Sequence, residues 1–382
     1  MTWAEVDLQA YAHNITELRR ITGKKTRLMA VVKADGYGHG AIEVAREALR
    51  NGAQNLGVAR INEAVQLREA GLHAPVLIFG YTPPDLAQTL IKYDLTQTVY
   101  SFAAANSLSE LAGRQGRKIT VHIKVDSGMG RLGLLLKDPA ASKPSQEPAL
   151  NPIQEVLSIS RLPGLTLEGI FTHFATADSA DKSYAAGQLE VFMDFIERLK
   201  RTGIELPIKH AANSGALIDM PQSHLEMVRP GIATYGLYPS DEVNKSIVAL
   251  TPVMTLKSRI IQLKRVPAGF NISYGITYQT QKPTTIATIP VGYADGFSRL
   301  LSNRGQMLVH GQKVPIVGRV CMDLTMLDVG SVPEVEIEDE VVVFGQQDRA
   351  ALTADEIASN LNTINYEIVS TITGRVARVY RR

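Results

Sequence analysis

Eight short apolar runs, each of strand length and each parted from the next by a helical pattern or a turn, constrain this chain more than any other feature. They lie at Arg27–Lys33, Asn55–Ala59, Pro75–Phe79, Gln97–Tyr100, Ile119–Val125, Thr166–Thr172, Pro207–Asn213 and His224–Val228. Between them Ala41, Ile42, Ala45, Ala48 and Leu49 share a helix face, as do Leu189, Phe192, Met193, Ile196 and Leu199 ahead of a capping Gly203. Strand and helix alternating eight times predict the α/β class and a (β/α)8 TIM-like barrel over residues 7–240. An open doubly wound sheet competes, but it needs fewer repeats and a switch point. Ahead of the rhythm, Met1–Val6 reads as a strand and Leu8–Ile21 as a helix that stops at Gly23.

Past residue 240 the rhythm changes to strands joined by turns: Val253–Val266, Thr284–Val291, Gln306–His310, Val314–Val320, Leu324–Val329 and Glu340–Phe344. A helix capped at Thr353 and a last strand over Arg375–Tyr380 follow. A mostly β domain over 241–382, with residues 1–6, is expected, since 382 residues are long for one core. The proline-rich stretch 137–152, KDPAASKPSQEPALNP, reads as a mobile surface excursion without function.

A net charge of +2 with no long basic run argues against nucleic acid and acidic membranes as partners. The start MTWAEVDLQAY has neither the basic opening nor the apolar core of a signal peptide, and no apolar run approaches the roughly 20 residues of a membrane span. A cytoplasmic location is expected. Cys321 is the one cysteine, which excludes an internal disulfide, and the eight histidines have no metal-ligand spacing, so no metal is expected.

Barrels carry their chemistry at the C-terminal ends of the strands. Here those ends supply Lys33, Asp126, Arg131, His173, Asn213, Ser214 and Arg229, the last followed by Gly231 and Ile232. Lys33 closes an apolar strand in AVVKADGYGHG, where it is either a nucleophile or Schiff-base former or simply a solvated strand end. Ser214-Gly215 and Pro230-Gly231-Ile232 open a helix and a turn after the last two strands, the usual place for a phosphate in such a barrel. A phosphorylated ligand beside Lys33 is the expectation.

Alternation along Ile119–Val125 turns His122 and Lys124 into the barrel if Ile119, Val121, Ile123 and Val125 pack on helices. GMGRLG at 128–133 matches a dinucleotide fingerprint in form, but it leads into prolines rather than a helix. Plainer readings stand beside the functional ones: Arg229 pairing with an acid such as Glu226, and Asn213 and Ser214 capping a helix. Tyr274 sits beside Gly275 in a tight turn, as a packing residue or an acid–base group, and Cys321-Met322-Asp323 taken alone reads as core.

Nine stretches, AVVKADGYGHG, KVDSGMGRLG, FTHFATAD, HAANSG, VRPGIATYG, SYGITY, VGYADGF, GRVCMD and NYEI, occur in the order found in the pyridoxal-phosphate-dependent alanine racemases, which the chain resembles from Lys33 to Tyr380. The resemblance implies pyridoxal 5'-phosphate bound covalently by Lys33. It implies phosphate binding by Tyr37, Ser214, Gly231, Ile232 and Tyr366 with Asn213 beside them, His173 over the pyridine ring, and Arg229 facing the ring nitrogen. Lys33 and Tyr274 would be the two bases that interconvert L- and D-alanine, the D-isomer serving peptidoglycan. Tyr274 and Met322 would come from the partner of a homodimer with composite sites. Arg131 and Met322 would lie near substrate, with Arg131 also orienting the cofactor's phenolic oxygen, and Lys124 is raised as a carbamylated lysine. Tyr293, Arg299 and Arg319 match the family's entrance corridor. Ser370 and Ala377 depart from the family's usual cysteine and proline, outside the expected chemistry. A broader-specificity or serine racemase is the nearest rival; a pyridoxal-phosphate carrier lacks a use for SYGITY and GRVCMD, and a decarboxylase on this barrel would want an acid where Arg229 stands.

Overall fold

The computed structural model describes residues 1–136 and 151–382, so the excursion expected at 137–152 lies almost wholly outside the described residues. Two compact units form, one of Tyr11–Gly36 and Ala41–Thr251, the other of Met1–Ala10, Tyr37–Gly40 and Pro252–Arg382.

In the first unit all eight apolar runs become strands: β1 (Arg27–Val31), β2 (Asn55–Val58), β3 (Val76–Ile78), β4 (Thr96–Val99), β5 (Ile119–Asp126), β6 (Leu165–Phe171), β7 (Ile208–His210) and β8 (Met227–Val228). They pair in parallel in the order β8-β1-β2-β3-β4-β5-β6-β7. The seam between β7 and β8 has no regular ladder, because β8 is two residues long, but Glu226 N donates to Lys209 O (3.2 Å) and Arg229 N to Ala212 O (2.9 Å) across it. The result is the expected barrel, nearly closed. Its strands are largely buried on both faces, as parallel strands covered by helices must be. Met29, Leu77, Ile208 and Met227 meet in one cluster, while Gln97, His122, Lys124 and His210 are buried polar residues of the same sheet.

Helices Leu8–Thr22 (from Tyr11 onward), Ala41–Arg50, Ile61–Glu69, Phe102–Arg114 and Ser183–Arg201 belong to this unit. Two buried stripes are rotated from the expected ones. Val44 rather than Ile42 and Leu49 is buried in the second helix, and Ala185, Gln188 and Phe195 replace Met193 and Ile196 in the last.

His122 and Lys124 on β5 point inward as the alternation requires. The His122 ring meets His210 edge-on at 5.0 Å, and Lys124 Nζ lies 5.6 Å from the Phe171 ring centre. Gly169 stands opposite His122, and a Cβ there would come within 2.6 Å of the imidazole. The strand pair shifts register at that point.

The second unit is mostly β. Its main sheet runs Gln312–Pro315, Gln306–Val309, Glu340–Gln347, Met254–Arg259, Trp3–Asp7, Ala377–Arg381, with Ala350–Leu352 paired to Glu340–Gln347. Gln262–Val266, Thr284–Ile289 and Thr325–Asp328 form a three-stranded sheet. Two expected strands are shorter than drawn. Val253–Val266 breaks at Ile260-Ile261 so that its halves join different sheets, and Val314–Val320 ends as a ladder at Pro315 ahead of Gly318, whose φ is +77°. Thr353 Oγ1 accepts from Glu356 N (3.0 Å) and caps the helix Ala354–Leu361.

Candidate active site

Lys33 follows β1 and opens a left-handed turn. Ala34 (φ 53°, ψ 51°), Asp35 (52°, 48°) and Gly36 (61°, 45°) are consecutive left-handed residues, and Tyr37 continues at φ 51°. Two of the first three have a Cβ, at a cost of about 1–2 kcal/mol each. Hydrogen bonds offset that cost. Gly36 N donates to Val32 O (2.9 Å), Ala41 N to Asp35 Oδ1 (2.9 Å) and Ala34 N to Glu63 Oε1 (2.7 Å). The other Glu63 oxygen accepts from Ala59 N (2.7 Å) and Arg60 N (3.0 Å), so one carboxylate ties the ends of β1 and β2.

Around Lys33 the strand ends of this unit gather positive charge. Burial lowers the Lys33 pKa, Arg131 lowers it further and Glu63 opposes both. Lys124, 5 % exposed, is lowered to about 8 by burial, Arg131, Arg229 and Lys33 against the pull of Asp126. His173 falls well below its ordinary value through burial and then Arg229, Arg131, Lys124 and Lys33, so it is neutral at physiological pH. The two opposing carboxylates are already engaged: Glu63 by three backbone N–H groups, and Asp126 by four.

Asp126 also explains GMGRLG. Its Oδ1 accepts from Gly128 N, Met129 N and Gly130 N at 2.8–3.2 Å, and Oδ2 accepts from Arg131 N at 3.0 Å. Burial pushes this carboxyl up, but the four donors hold it below the usual range. The amides that a dinucleotide loop would offer to a pyrophosphate are spent on Asp126, which positions Arg131.

Arg229 is buried and does not pair with Glu226, which takes Lys209 Nζ at 3.1 Å. Its Nη2 donates to Thr172 O (2.8 Å) and Ala211 O (3.0 Å), the carbonyls just past β6 and β7, and reaches His173 Nδ1 at 3.4 Å. Nη1 donates to His210 Nδ1 at 2.8 Å. Burial and Arg131 lower its pKa to about 9, which leaves it cationic at neutral pH. After β7, Asn213 Oδ1 caps Ser214–Asp219 by accepting from Ala216 N (3.0 Å). Ser214 Oγ accepts from Gly231 N (3.0 Å) and Ala233 N (3.3 Å) at the start of the turn Ile232–Tyr235. The barrel unit thus brings together Lys33, Arg131, His173, Asn213, Ser214, Arg229, Gly231 and Ile232 along its strand ends.

The remaining expected residues belong to the β unit. Tyr37 and Tyr366 pack ring to ring at 6.2 Å, and burial raises the Tyr37 hydroxyl far above its ordinary pKa, so it stays a neutral donor. Gly38, at φ +81°, lets this loop pass Val369, whose carbonyl oxygen would lie 2.1 Å from a Cβ. Arg378 Nε donates to Gly38 O (2.9 Å) and fastens the loop to the C-terminal strand. Tyr274 is 71 % exposed on the turn Tyr274–Ile276, and Met322 is 52 % exposed. The expectation that Cys321-Met322-Asp323 is core is therefore wrong: Met322 and Asp323 are exposed and Cys321 is half-buried. Gly292 packs its backbone on the Met322 carbonyl, and the two side chains turn outward.

Comparison with known proteins agrees along the chain. The family models for the alanine racemase N-terminal and C-terminal domains match residues 6–239 and 253–380. An alanine racemase of Desulfosudis oleivorans is 56 % identical over 378 residues, covering 99 % of this chain and 96 % of that one. The chain belongs to the alanine racemase family. A solved alanine racemase from Clostridium difficile superposes with a TM-score of 0.92 at 40 % identity, covering 100 % of this chain and 95 % of that one. A Bartonella henselae alanine racemase solved with covalently bound pyridoxal phosphate has a TM-score of 0.85 at 27 % identity, covering 100 % of this chain and 99 % of that one.

Alanine racemases are isomerases, and the residues that sequence reasoning missed in this one are supporting groups. Glu63 was visible only as the third residue of a helix start, Arg60-Ile61-Asn62-Glu63. His210 carried a usable signal, a polar residue closing a buried strand just before HAANSG's alanines.

Proposed function

We propose that this alanine racemase interconverts L- and D-alanine with pyridoxal 5'-phosphate, using Lys33 and Tyr274 as bases on opposite faces of the substrate α-carbon. The observation that carries the reading is the charge balance around Lys33: Lys33, Lys124, Arg131 and Arg229 gather at the strand ends while Glu63 and Asp126 are engaged elsewhere. Such a surplus suits a ligand bearing a phosphate and a phenolate. When bound, pyridoxal phosphate supplies an electron sink that acidifies the substrate's α-proton.

The chain's own residues would do the rest. Lys33 Nζ, with its pKa lowered, would hold the cofactor covalently and, once released by substrate, take or return the proton on one face. Tyr274 Oη would do so on the other face. Ser214 Oγ, the Gly231 and Ile232 amides, and the Tyr37 and Tyr366 hydroxyls would bind the phosphate, the Gly231 N–H exchanging its Ser214 Oγ acceptor for a phosphate oxygen, with Asn213 fixing the helix that carries Ser214. His173, neutral, would lie over the ring. Arg229 would meet the ring nitrogen as a donor that cannot surrender its proton as an acid could, which limits the sink and suppresses transamination. Arg131 would orient the phenolic oxygen and, with Met322, the substrate.

Tyr274 and Met322 would act in the partner's site. Tyr274, Ile276, Met322 and Leu324 are exposed apolar groups on two loops of the β unit, a composition suited to a subunit interface. The assignment is thus a cytoplasmic homodimer with a barrel domain over 7–240 and a β domain, 241–382 with residues 1–6, that completes the partner's site. Its D-alanine would supply peptidoglycan.

The test is to incubate the purified protein with L-alanine and separately with L-serine, L-lysine and L-arginine, following each D-isomer. D-alanine should form fastest; equal or faster turnover of a larger amino acid would sink the alanine assignment. Sedimentation over a dilution series should find a dimer, and a monomer with full activity would remove the composite site.

A further inference from the structure

Arg229 is one end of a buried polar chain. Its Nη1 lies 2.8 Å from His210 Nδ1, His210 Nε2 lies 2.8 Å from His122 Nδ1, and His122 Nε2 lies 3.1 Å from Glu168 Oε2. The two imidazoles are 0 % and 2 % exposed, and the Glu168 side chain is 36 % exposed at the far end.

The direction of every bond follows from one fact: an arginine can only donate. His210 Nδ1 must then accept, which puts the His210 proton on Nε2. That proton points at His122 Nδ1, which must accept, so His122 carries its own proton on Nε2 and gives it to the Glu168 carboxylate. A cationic imidazole at either position would set N–H against N–H. Both rings have their pKa lowered, first by burial, in agreement with two neutral rings. Phe171 stacks on His210 at 4.7 Å and 9° and lies 5.2 Å from the Arg229 guanidinium carbon, which prevents the ring from rotating out of line.

We propose that Glu168, His122 and His210 form a one-way chain of hydrogen bonds that holds Arg229 as a fixed cationic donor, which makes Glu168 and His122 positioning residues for racemisation although they do not touch the ligand. The carboxylate at the far end offsets a guanidinium otherwise buried beside Arg131 and Lys124. The chain also fixes Arg229 in rotation, because Nη1 is held by His210 and Nη2 by Thr172 O and Ala211 O. The proposal rests on the reading that Arg229 faces the cofactor's ring nitrogen.

Nitrogen NMR of the holoenzyme with labelled histidine, assigned through His122→Gln and His210→Gln, reads the chain directly. His122 and His210 should each show a protonated Nε2 and a bare Nδ1; a proton on Nδ1 of either ring, or a doubly protonated ring, overturns the proposal. Glu168→Leu should lower kcat on the order of 10-fold with KM for alanine within about twofold, the scale of effect that outer partners of a held group have. Glu168→Gln, which still accepts from His122, should recover part of that loss. Wild-type kcat and unchanged tautomers in Glu168→Leu would also overturn it; should that variant fail to fold, the wild-type tautomers decide alone. Arg229→Lys tests the underlying reading separately: it should shift the bound cofactor's absorbance, and if it does not, the cofactor assignment of Arg229 fails while the tautomers stand.

Discussion

The strand ends of the barrel and the two exposed loops of the β unit, Ser273–Ile276 and Cys321–Leu324, hold their site residues in opposite ways. Around Lys33 the supporting groups are tied down: a carboxylate braces the turn behind it, Asp126 fixes the backbone of the Arg131 loop, and two carbonyls and a histidine clamp Arg229. Tyr274 and Met322 instead stand out from their own chain. On the proposed reading the contrast has a reason: groups that meet a cofactor's fixed charges are best organised before it arrives, whereas groups that complete another subunit's site would be organised by docking.

That contrast is broken most sharply at Lys33. Lys33→Ala should lower racemisation by at least about 10⁴-fold, the loss of the proposed base and the proposed attachment point together, and borohydride reduction should no longer fix the cofactor to the protein, as intact mass would reveal. Tyr274→Phe should cost about 10² to 10⁴-fold in kcat while the cofactor's absorbance stays that of the wild type. Loss of the cofactor from Tyr274→Phe would mean that the two regions are not separable, and near-wild-type turnover would mean that Tyr274 is no base.

How much of this was readable from sequence depended on the range of the interaction. Most of the eight strands were legible because parallel strands buried on both faces tend to be apolar runs, while Ile119–Asp126 was read from its alternation, and the polar residues ending the strands stood out against that background. The helical stripes were read one step out of phase, since spacing alone gives Ile42 or Met193 the same claim to the core as Val44 or Phe195. What His210 does, and the reach of Glu63 to Ala34, was not legible, because those partners adjoin only in the fold. The four donors to Asp126 lie two to five residues after it, so an acid ahead of a glycine-rich turn was a local signal, but their common convergence on one carboxylate is set by the turn's shape. The left-handed run at Ala34-Asp35 also escaped, as neither residue favours it and only the surrounding hydrogen bonds impose it. The matched motifs named Tyr274 and Met322, but composition would have buried Cys321-Met322-Asp323.

Asp126→Ala sharpens the contrast on the barrel side. Four backbone donors would lose their acceptor, at about 4 kcal/mol by urea unfolding, and Arg131 would be released. An equivalent change in the exposed loops, Met322→Ala, should leave unfolding of the diluted monomer within about 0.5 kcal/mol of wild type. A small effect at Asp126 would show that the Arg131 loop is not held in advance.

The smallest effect expected is a pH slope. Lys124 is held at about 8, against an ordinary value of 10.5, because its charged form is buried beside Arg131 and Arg229. Between those pH values the unfolded chain binds more protons than the folded one, so stability of the cofactor-free protein should rise with pH across the window; the cost of the buried cation is fully present below pH 8 and gone above 10.5. Lys124→Met should flatten this part of the profile, removing a change of at most about 3 kcal/mol across the window in bicarbonate-free buffer. Bicarbonate provides the finer test. If the neutral amine adds carbon dioxide to form a carbamate, the cation is replaced by an anion facing Arg131 and Arg229, so wild-type stability at neutral pH should increase with bicarbonate while Lys124→Met stays unchanged. A wild-type profile that ignores both pH and bicarbonate would mean that Lys124 is not buried as a cation, and the barrel mouth would carry one charge fewer for its cofactor to offset.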